Sequence, residues 1–187
     1  RVLERPLGEV VRLLPELKPV RGRMTVVDEG QPFEVLVDYA HTPSSFQAIF
    51  PPLRKRVTGR IISVFGSGGE RDTVKRPEQG RVAADYSDVV ILADEDPRGE
   101  EPLDILEQIA LGCRDKTRGE TLFLIPNRPE AVRKAISLAG KGDLVLLLGK
   151  GHENSIIYGD RVDPYDELSE ATKALREAGF GPGSARA

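Results

Sequence analysis

Two kinds of apolar patterning alternate along this chain. Short unbroken runs, VVILA at 89–93 and LVLLL at 144–148, alternate with stretches whose apolar residues recur every three or four positions. The runs suit strands buried on both faces of a parallel sheet, and the spaced stretches suit helices with one buried face. Predicted strands cover 24–28, 33–38, 60–65, 88–94, 121–125 and 143–148. Thr42 followed by Pro43 predicts a helix start, a hydroxyl cap and then a proline in the first turn. Phe46, Ile49, Phe50 and Leu53 then fall on one face. Pro51–Pro52 is expected to kink or split that helix.

Leu106, Ile109, Ala110 and Cys113 repeat the spacing, which makes Cys113 a core residue rather than a nucleophile or metal ligand. Asn127 with Glu130 resembles a capping box, ahead of a stripe of Val132, Ala135, Ile136 and Ala139. Asp163–Pro164 is expected to open the last helix and Gly179 to close it. The alternation predicts an α/β fold, a mostly parallel sheet of about six strands with helices on both faces. Residues 21–180 form this domain. Residues 1–20, with apolar positions interrupted by Pro15 and Pro19, read as the tail of a preceding domain and a linker, and 181–187 as a frayed tail.

Composition narrows the class. The 187 residues carry a formal net charge of -3, which offers no global basic field for nucleic acid. A single Cys excludes an intramolecular disulfide framework and fits a reducing compartment. No apolar run approaches the roughly 20 residues of a membrane span, and no secretory signal pattern is present. The chain starts at Arg1 and its only methionine is Met24, so it reads as a piece whose N-terminal context is missing.

In a doubly wound sheet, ligands sit beyond the carboxyl ends of the strands, and the informative motifs follow strands here. After the second strand comes DYAHTP. Asp38 is a carboxylate suited to two ribose hydroxyls, or else it and His41 simply hydrogen-bond main chain in a turn. After the third comes GSGGERD, which is neither a dinucleotide fingerprint nor a P-loop. It is either a tight turn with solvated charges or the platform from which Arg71 grips a carboxylate. Glu70 and Asp72 are then expected to hold the neighbouring arginines in place. After the fourth comes DEDPRGEE: an acidic helix start, or a clamp of Arg98 for a carboxylate and acids for an ammonium. After the sixth comes GKGHE. Gly149 and Gly151 permit close backbone approach; Glu153 can accept from an ammonium, and Lys150 or His152 can face an anion. No pair of His, Cys or carboxylates has metal-ligand spacing, and no Ser/His/Asp arrangement stands out. No catalytic and no metal-binding residue is assigned.

Taken in order, GRM at 22–24, VDYAHTP at 37–43, VFGSGGERDTVKRP at 64–77, DEDPRGEEP at 94–102 and GKGHE at 149–153 resemble the C-terminal part of Mur ligases, on the branch that adds a diamino acid. The resemblance covers about residues 15–178. It implies a Rossmann-like domain and an ATP-dependent, amide-forming ligase of the bacterial cytoplasm, acting as a monomer. The substrates implied are UDP-N-acetylmuramoyl-L-alanyl-D-glutamate and lysine, ornithine or meso-diaminopimelate, joined through an acyl phosphate. It further implies that the P-loop and the Mg2+ ligands belong to missing N-terminal and central domains, and that the isolated piece is inactive. By position it assigns Arg23, Asp38 and His41 to ATP, and Arg71, Asp96, Arg98, Gly149 and Glu153 to the diamino acid. Departures from the family pattern are Arg21, Thr25, Glu70 and Asp96, the last in place of the usual asparagine. A carboxylate at Asp96 is expected to repel a second substrate carboxylate and so to favour lysine or ornithine. Cyanophycin-synthetase-like or folylpolyglutamate-synthetase-like ligases, or a non-catalytic amino-acid- or nucleotide-binding module, are the alternatives.

Overall fold

The computed structural model describes residues 7–13 and 20–181. A helix, α1 (Leu7–Leu13), precedes the domain. The rest of the predicted linker and the predicted tail beyond Gly181 lie outside the described residues. A six-stranded sheet comprises β1 (Thr25–Val26), β2 (Glu34–Asp38), β3 (Ile61–Phe65), β4 (Val89–Leu92), β5 (Leu122–Leu124) and β6 (Leu144–Leu148). Its order is β1-β2-β6-β3-β4-β5. Only the β1–β2 pairing is antiparallel; β2, β6, β3, β4 and β5 run parallel. Every predicted strand is therefore present, trimmed at its ends.

Alternation across β6 shows how the core is divided. Leu144, Leu146 and Leu148 face one layer and Val145 and Leu147 the other. The first layer holds α2 (Pro43–Arg56), α3 (Lys75–Tyr86) and α4 (Pro102–Ala110), through Phe46, Phe50, Val82, Ile105 and Ile109. The second holds α5 (Arg128–Leu138) and α6 (Glu167–Glu177), through Val132, Ile136, Ala171 and Leu175. Cys113 is buried in the first layer, where desolvation pushes its thiol up to about 11. Thr42 caps α2 in a box with Ser45, and Asn127 caps α5 by accepting from Glu130 N at 3.1 Å.

Two expectations are corrected. Pro51 and Pro52 do not split α2, which runs unbroken through both. The prolines withdraw donors from the carbonyls one turn back, on Gln47 and Ala48. Both residues are solvent-exposed, so their carbonyls are not sealed from water, while Phe46, Phe50 and Leu53 keep the helix seated. Asp163–Pro164 does not open the last helix. It ends β8 (Arg161–Pro164), which pairs antiparallel with β7 (Ser155–Tyr158) in a separate two-stranded ribbon. Pro164 is tolerated there because the ribbon edge needs no donor from it. Gly159, at φ 56°, takes the first place of the two-residue turn. The true cap of α6 is Asp166, which accepts from Ser169 N at 2.8 Å. Gly179, at φ 90°, follows its end as expected.

Candidate functional site

Beyond the carboxyl ends of β2, β3, β4 and β6 lies a cavity of about 520 Å³. Its lining comes from all four strand-end loops: Tyr39 and His41; Gly68, Arg71, Asp72 and Lys75; Glu95, Asp96 and Arg98; and Glu153. Glycines bring these loops together. Gly69 N donates to Asp96 O at 2.7 Å, and a Cβ on Gly69 would overlap the Pro97 carbonyl. A Cβ on Gly151 would press on Tyr39 and the Gly22 carbonyl, so the GRM segment and the GKGHE loop meet backbone to backbone. Gly69 and Gly151 serve loop packing, and most of the cavity lining is charged side chains.

The charges are arranged in a definite order. Lys150 is fully buried, with its ammonium 2.9 Å from Asp96 Oδ1 and 2.7 Å from Glu153 Oε2. Glu153 Oε1 also accepts from the Tyr39 hydroxyl at 3.2 Å. Glu95 packs against Gly149, and its Oε2 is buried with no hydrogen-bond partner. Burial pushes the Glu95 carboxyl up, against the pull of Arg128, His41, Lys75 and Lys150. Arg71 is exposed and has no ion-pair or hydrogen-bond partner among the described residues. Arg98 NH2 stands 3.8 Å from Asp96 Oδ2, and its Nε is unpartnered. The cavity thus holds guanidinium edges that can take a carboxylate and carboxylates that can take an ammonium, the complement of a zwitterion.

The residues assigned to ATP cluster around Tyr39, at the edge of the cavity. The Arg23 guanidinium lies over the Tyr39 ring at 4.9 Å, and the rings of His41 and His152 pack against it at 4.9 and 4.8 Å. Asp38 accepts from Met24 N and Ala40 N, both at 2.8 Å, and the His41 Nδ1 lies 2.9 Å from Tyr39 O. Both side chains therefore make the turn contacts considered for them, and Asp38 ties the GRM segment to the DYAHTP turn. Four of the five residues assigned to the diamino acid, Arg71, Asp96, Arg98 and Glu153, line the same cavity. The fifth, Gly149, lies beneath Glu95. Among the described residues no group of three or more His, Cys, Asp or Glu is placed to hold a metal ion.

Several charged residues do work that sequence reasoning missed. Arg76 is fully buried and is held by Glu100 at 2.7 and 2.9 Å, by Gln108 at 2.8 Å and by the Gly68 carbonyl at 3.1 Å. Glu100, not Glu70 or Asp72, secures this arginine; Asp72 instead accepts from Val74 N. Arg128 forms a wholly buried ion pair with Glu167 at 2.8 Å. It also donates to the carbonyls of Asp94 at 3.1 Å and Leu148 at 2.6 Å, so one guanidinium sets the spacing of two ligand loops. Burial works against its charge, and Glu167 outweighs burial and raises its pKa. Tyr158 donates to Asp94 Oδ2 at 2.8 Å. Gly159–Asp160, between two β-prone segments, was the legible hairpin signal for that contact.

The charge on Asp96 also reads differently in three dimensions. An ammonium of the same chain, that of Lys150, faces Asp96, so its charge is already partly paired. Asp96 and Glu153 share that one ammonium, and both carboxylates line the cavity.

Comparison with known proteins agrees with this fold. The profile of the family described as Mur ligase, glutamate ligase domain, matches residues 22–151. The UDP-N-acetylmuramyl-tripeptide synthetase of Treponema denticola is 65% identical over 169 residues, 89% of this chain and 32% of that protein. The UDP-N-acetylmuramoyl-L-alanyl-D-glutamate--2,6-diaminopimelate ligase of Coxiella burnetii is 40% identical over 172 residues, 92% of this chain and 35% of that protein. A solved structure of a UDP-N-acetylmuramoyl-L-alanyl-D-glutamate--2,6-diaminopimelate ligase superimposes with a TM-score of 0.73 at 32% identity, covering 93% of this chain and 35% of its own. The chain spans about a third of the length of the curated relatives it matches. By its ordered motifs, its sheet and these matches, the chain belongs to the Mur ligase family and contains that family's glutamate ligase domain.

Proposed function

We propose that this chain is the amino-acid-delivering domain of an ATP-dependent ligase that joins a diamino acid to UDP-N-acetylmuramoyl-L-alanyl-D-glutamate. Residues 21–180 form that domain, and residues 1–20 are the end of an ATP-binding domain that lies upstream in the whole enzyme. The observation that carries this reading is the single cavity holding Arg71 and Arg98 together with Glu95 and Glu153. Arg71 and Arg98 hold the carboxylate of the incoming amino acid in forked contacts. Glu95 and Glu153 receive its ammonium groups, and Lys150 keeps Glu153 in place. Holding both ends of the zwitterion orients the amine for attack and removes much of the entropic barrier.

Arg23, Asp38 and His41 border the nucleotide, with Tyr39 as an aromatic surface and the remaining lone pairs of Asp38 for hydroxyls. ATP, when bound, supplies the phosphoryl group that activates the acceptor carboxylate. We assign the Mg2+ ligands to the upstream domain of the whole enzyme.

The test compares the 187-residue chain with the full-length enzyme, using calorimetry and a ligation assay with meso-diaminopimelate, lysine, ornithine and monoamino acids in competition. Weak binding without turnover by the chain, and ligation of a diamino acid by the whole enzyme, is the expected result. Preference of the whole enzyme for a monoamino acid overturns the reading.

A further inference from the structure

We propose that the β7–β8 hairpin is the brace that aims Arg98, and that Tyr158 and the main chain of Ile157–Gly159 are positioning elements for substrate-carboxylate recognition. The proposal rests on the reading of Arg98 as the carboxylate anchor and adds what holds it there.

Arg98 has φ 53°, the left-handed region that non-glycine side chains rarely occupy. Such a conformation persists only where the surroundings over-determine it, and here the hairpin does so. Arg98 N donates to Ile157 O at 2.9 Å, and Gly159 N donates to Arg98 O at 2.7 Å. Both main-chain polar groups of Arg98 are thus taken by β7 and its turn, in a bridge that pairs Arg98 with Tyr158. Two further bonds sew the same hairpin to the same loop. Ile157 N donates to Asp96 Oδ1 at 3.0 Å, and the Tyr158 hydroxyl donates to Asp94 Oδ2 at 2.8 Å. Arg161 covers the outer face of the Tyr158 ring at 5.1 Å.

Neither strand belongs to the six-stranded sheet, neither core cluster contains a hairpin residue, and Ile156 is the hairpin's one buried hydrophobic side chain. The hairpin also lies beyond residue 151, where the family match ends. A guanidinium reads a carboxylate as a planar fork, so the direction in which its backbone launches it decides whether the fork meets both oxygens.

The hairpin can be removed with its base still paired, because Tyr165 N donates to Asn154 O at 2.9 Å. In the full-length enzyme, replacing Ser155–Pro164 with a two-glycine turn is expected to raise the diamino-acid KM about tenfold or more, with kcat and the ATP KM nearly unchanged. Tyr158→Ala is expected to raise the same KM by a smaller factor, and Tyr158→Phe by the least. In an Arg98→Ala background the hairpin replacement is expected to add nothing, since both changes act through one side chain. If Arg98→Ala raises the amino-acid KM and the hairpin replacement does not, the brace is overturned and the proposed site stands. Additive effects in the double variant overturn it equally. If Arg98→Ala leaves the KM unchanged, the Arg98 assignment falls and the brace with it. Should the replacement fail to fold, Tyr158→Ala in the same two backgrounds decides the matter by the same criteria.

Discussion

The ammonium of Lys150, wholly buried, sits 2.9 Å from the Asp96 carboxylate across the base of the cavity. It also reaches Glu153, so one cation joins the loop after β4 to the loop after β6. Lys150→Met leaves two carboxylates facing each other without their counter-charge. The expected cost is about 3 kcal/mol, the scale for removing one partner of a buried pair, read as a lower urea midpoint. Asp96→Asn keeps an acceptor for Ile157 N and leaves Lys150 paired with Glu153. Its expected effect on the preference between lysine and meso-diaminopimelate is less than about tenfold, or 1.4 kcal/mol. A larger switch in preference would show that Asp96 faces the substrate directly.

Arg98→Ala is expected to raise the diamino-acid KM of the full-length enzyme by about 10- to 100-fold, the 1.5–3 kcal/mol typical of hydrogen bonds to a charged group. The KM for ATP and the thermal midpoint should stay close to those of the parent. Steady-state kinetics with the amino acid varied at saturating ATP measures this, and an unchanged KM removes Arg98 from the site.

Asp94 makes stability depend on pH in an unusual direction. Burial pushes its carboxyl from 3.8 up to about 6, against the Tyr158 hydrogen bond and the charge of Arg128. The folded chain therefore keeps a proton that the unfolded chain releases between about pH 4 and 6. Its contribution is full below pH 4 and is lost as pH rises through 6, by about 2–3 kcal/mol at 1.4 per unit. Asp94→Asn retains an acceptor for Tyr158 and should flatten that part of the profile. Urea unfolding of parent and variant at pH 4.5 and 7 checks it; parallel profiles would show that Asp94 does not carry the dependence.

Arg128 and Glu167 should behave as a unit. Arg128→Met strands a buried carboxylate and unties the carbonyls of Asp94 and Leu148. The expected loss is about 3–5 kcal/mol. Arg128→Met with Glu167→Leu should recover a large part of it, because no uncompensated charge remains. A double variant no more stable than the single one would show that the carbonyl contacts, rather than the stranded charge, dominate.

Much of the fold was legible because the sheet is buried on both faces, which turns its inner strands into unbroken apolar runs such as Val89–Leu92 and Leu144–Leu148. The hairpin escaped because β7 and β8 are four residues each and only Ile156 of them is buried, so neither shows that signal, and Asp163–Pro164 mimics a helix start. The double proline misled for a related reason. The rule concerns lost hydrogen bonds, and whether water replaces them depends on which side of the helix faces out.

The candidate site divides along the same line. Sequence alone determined where the candidate site residues gather, since loops at strand ends carry Arg71, Arg98, Gly149 and Glu153 in a parallel sheet with this element order. It could not determine which charges are already spent. Arg76, Arg128 and Lys150 look like surface residues in a linear reading, because charged side chains are rarely fully buried. Each is buried on a partner far along the chain: Glu100, Glu167 and Asp96. Only the tertiary structure decided those pairings, because the attraction that offsets desolvation acts at hydrogen-bond range, and sequence spacing does not say which residues come that close.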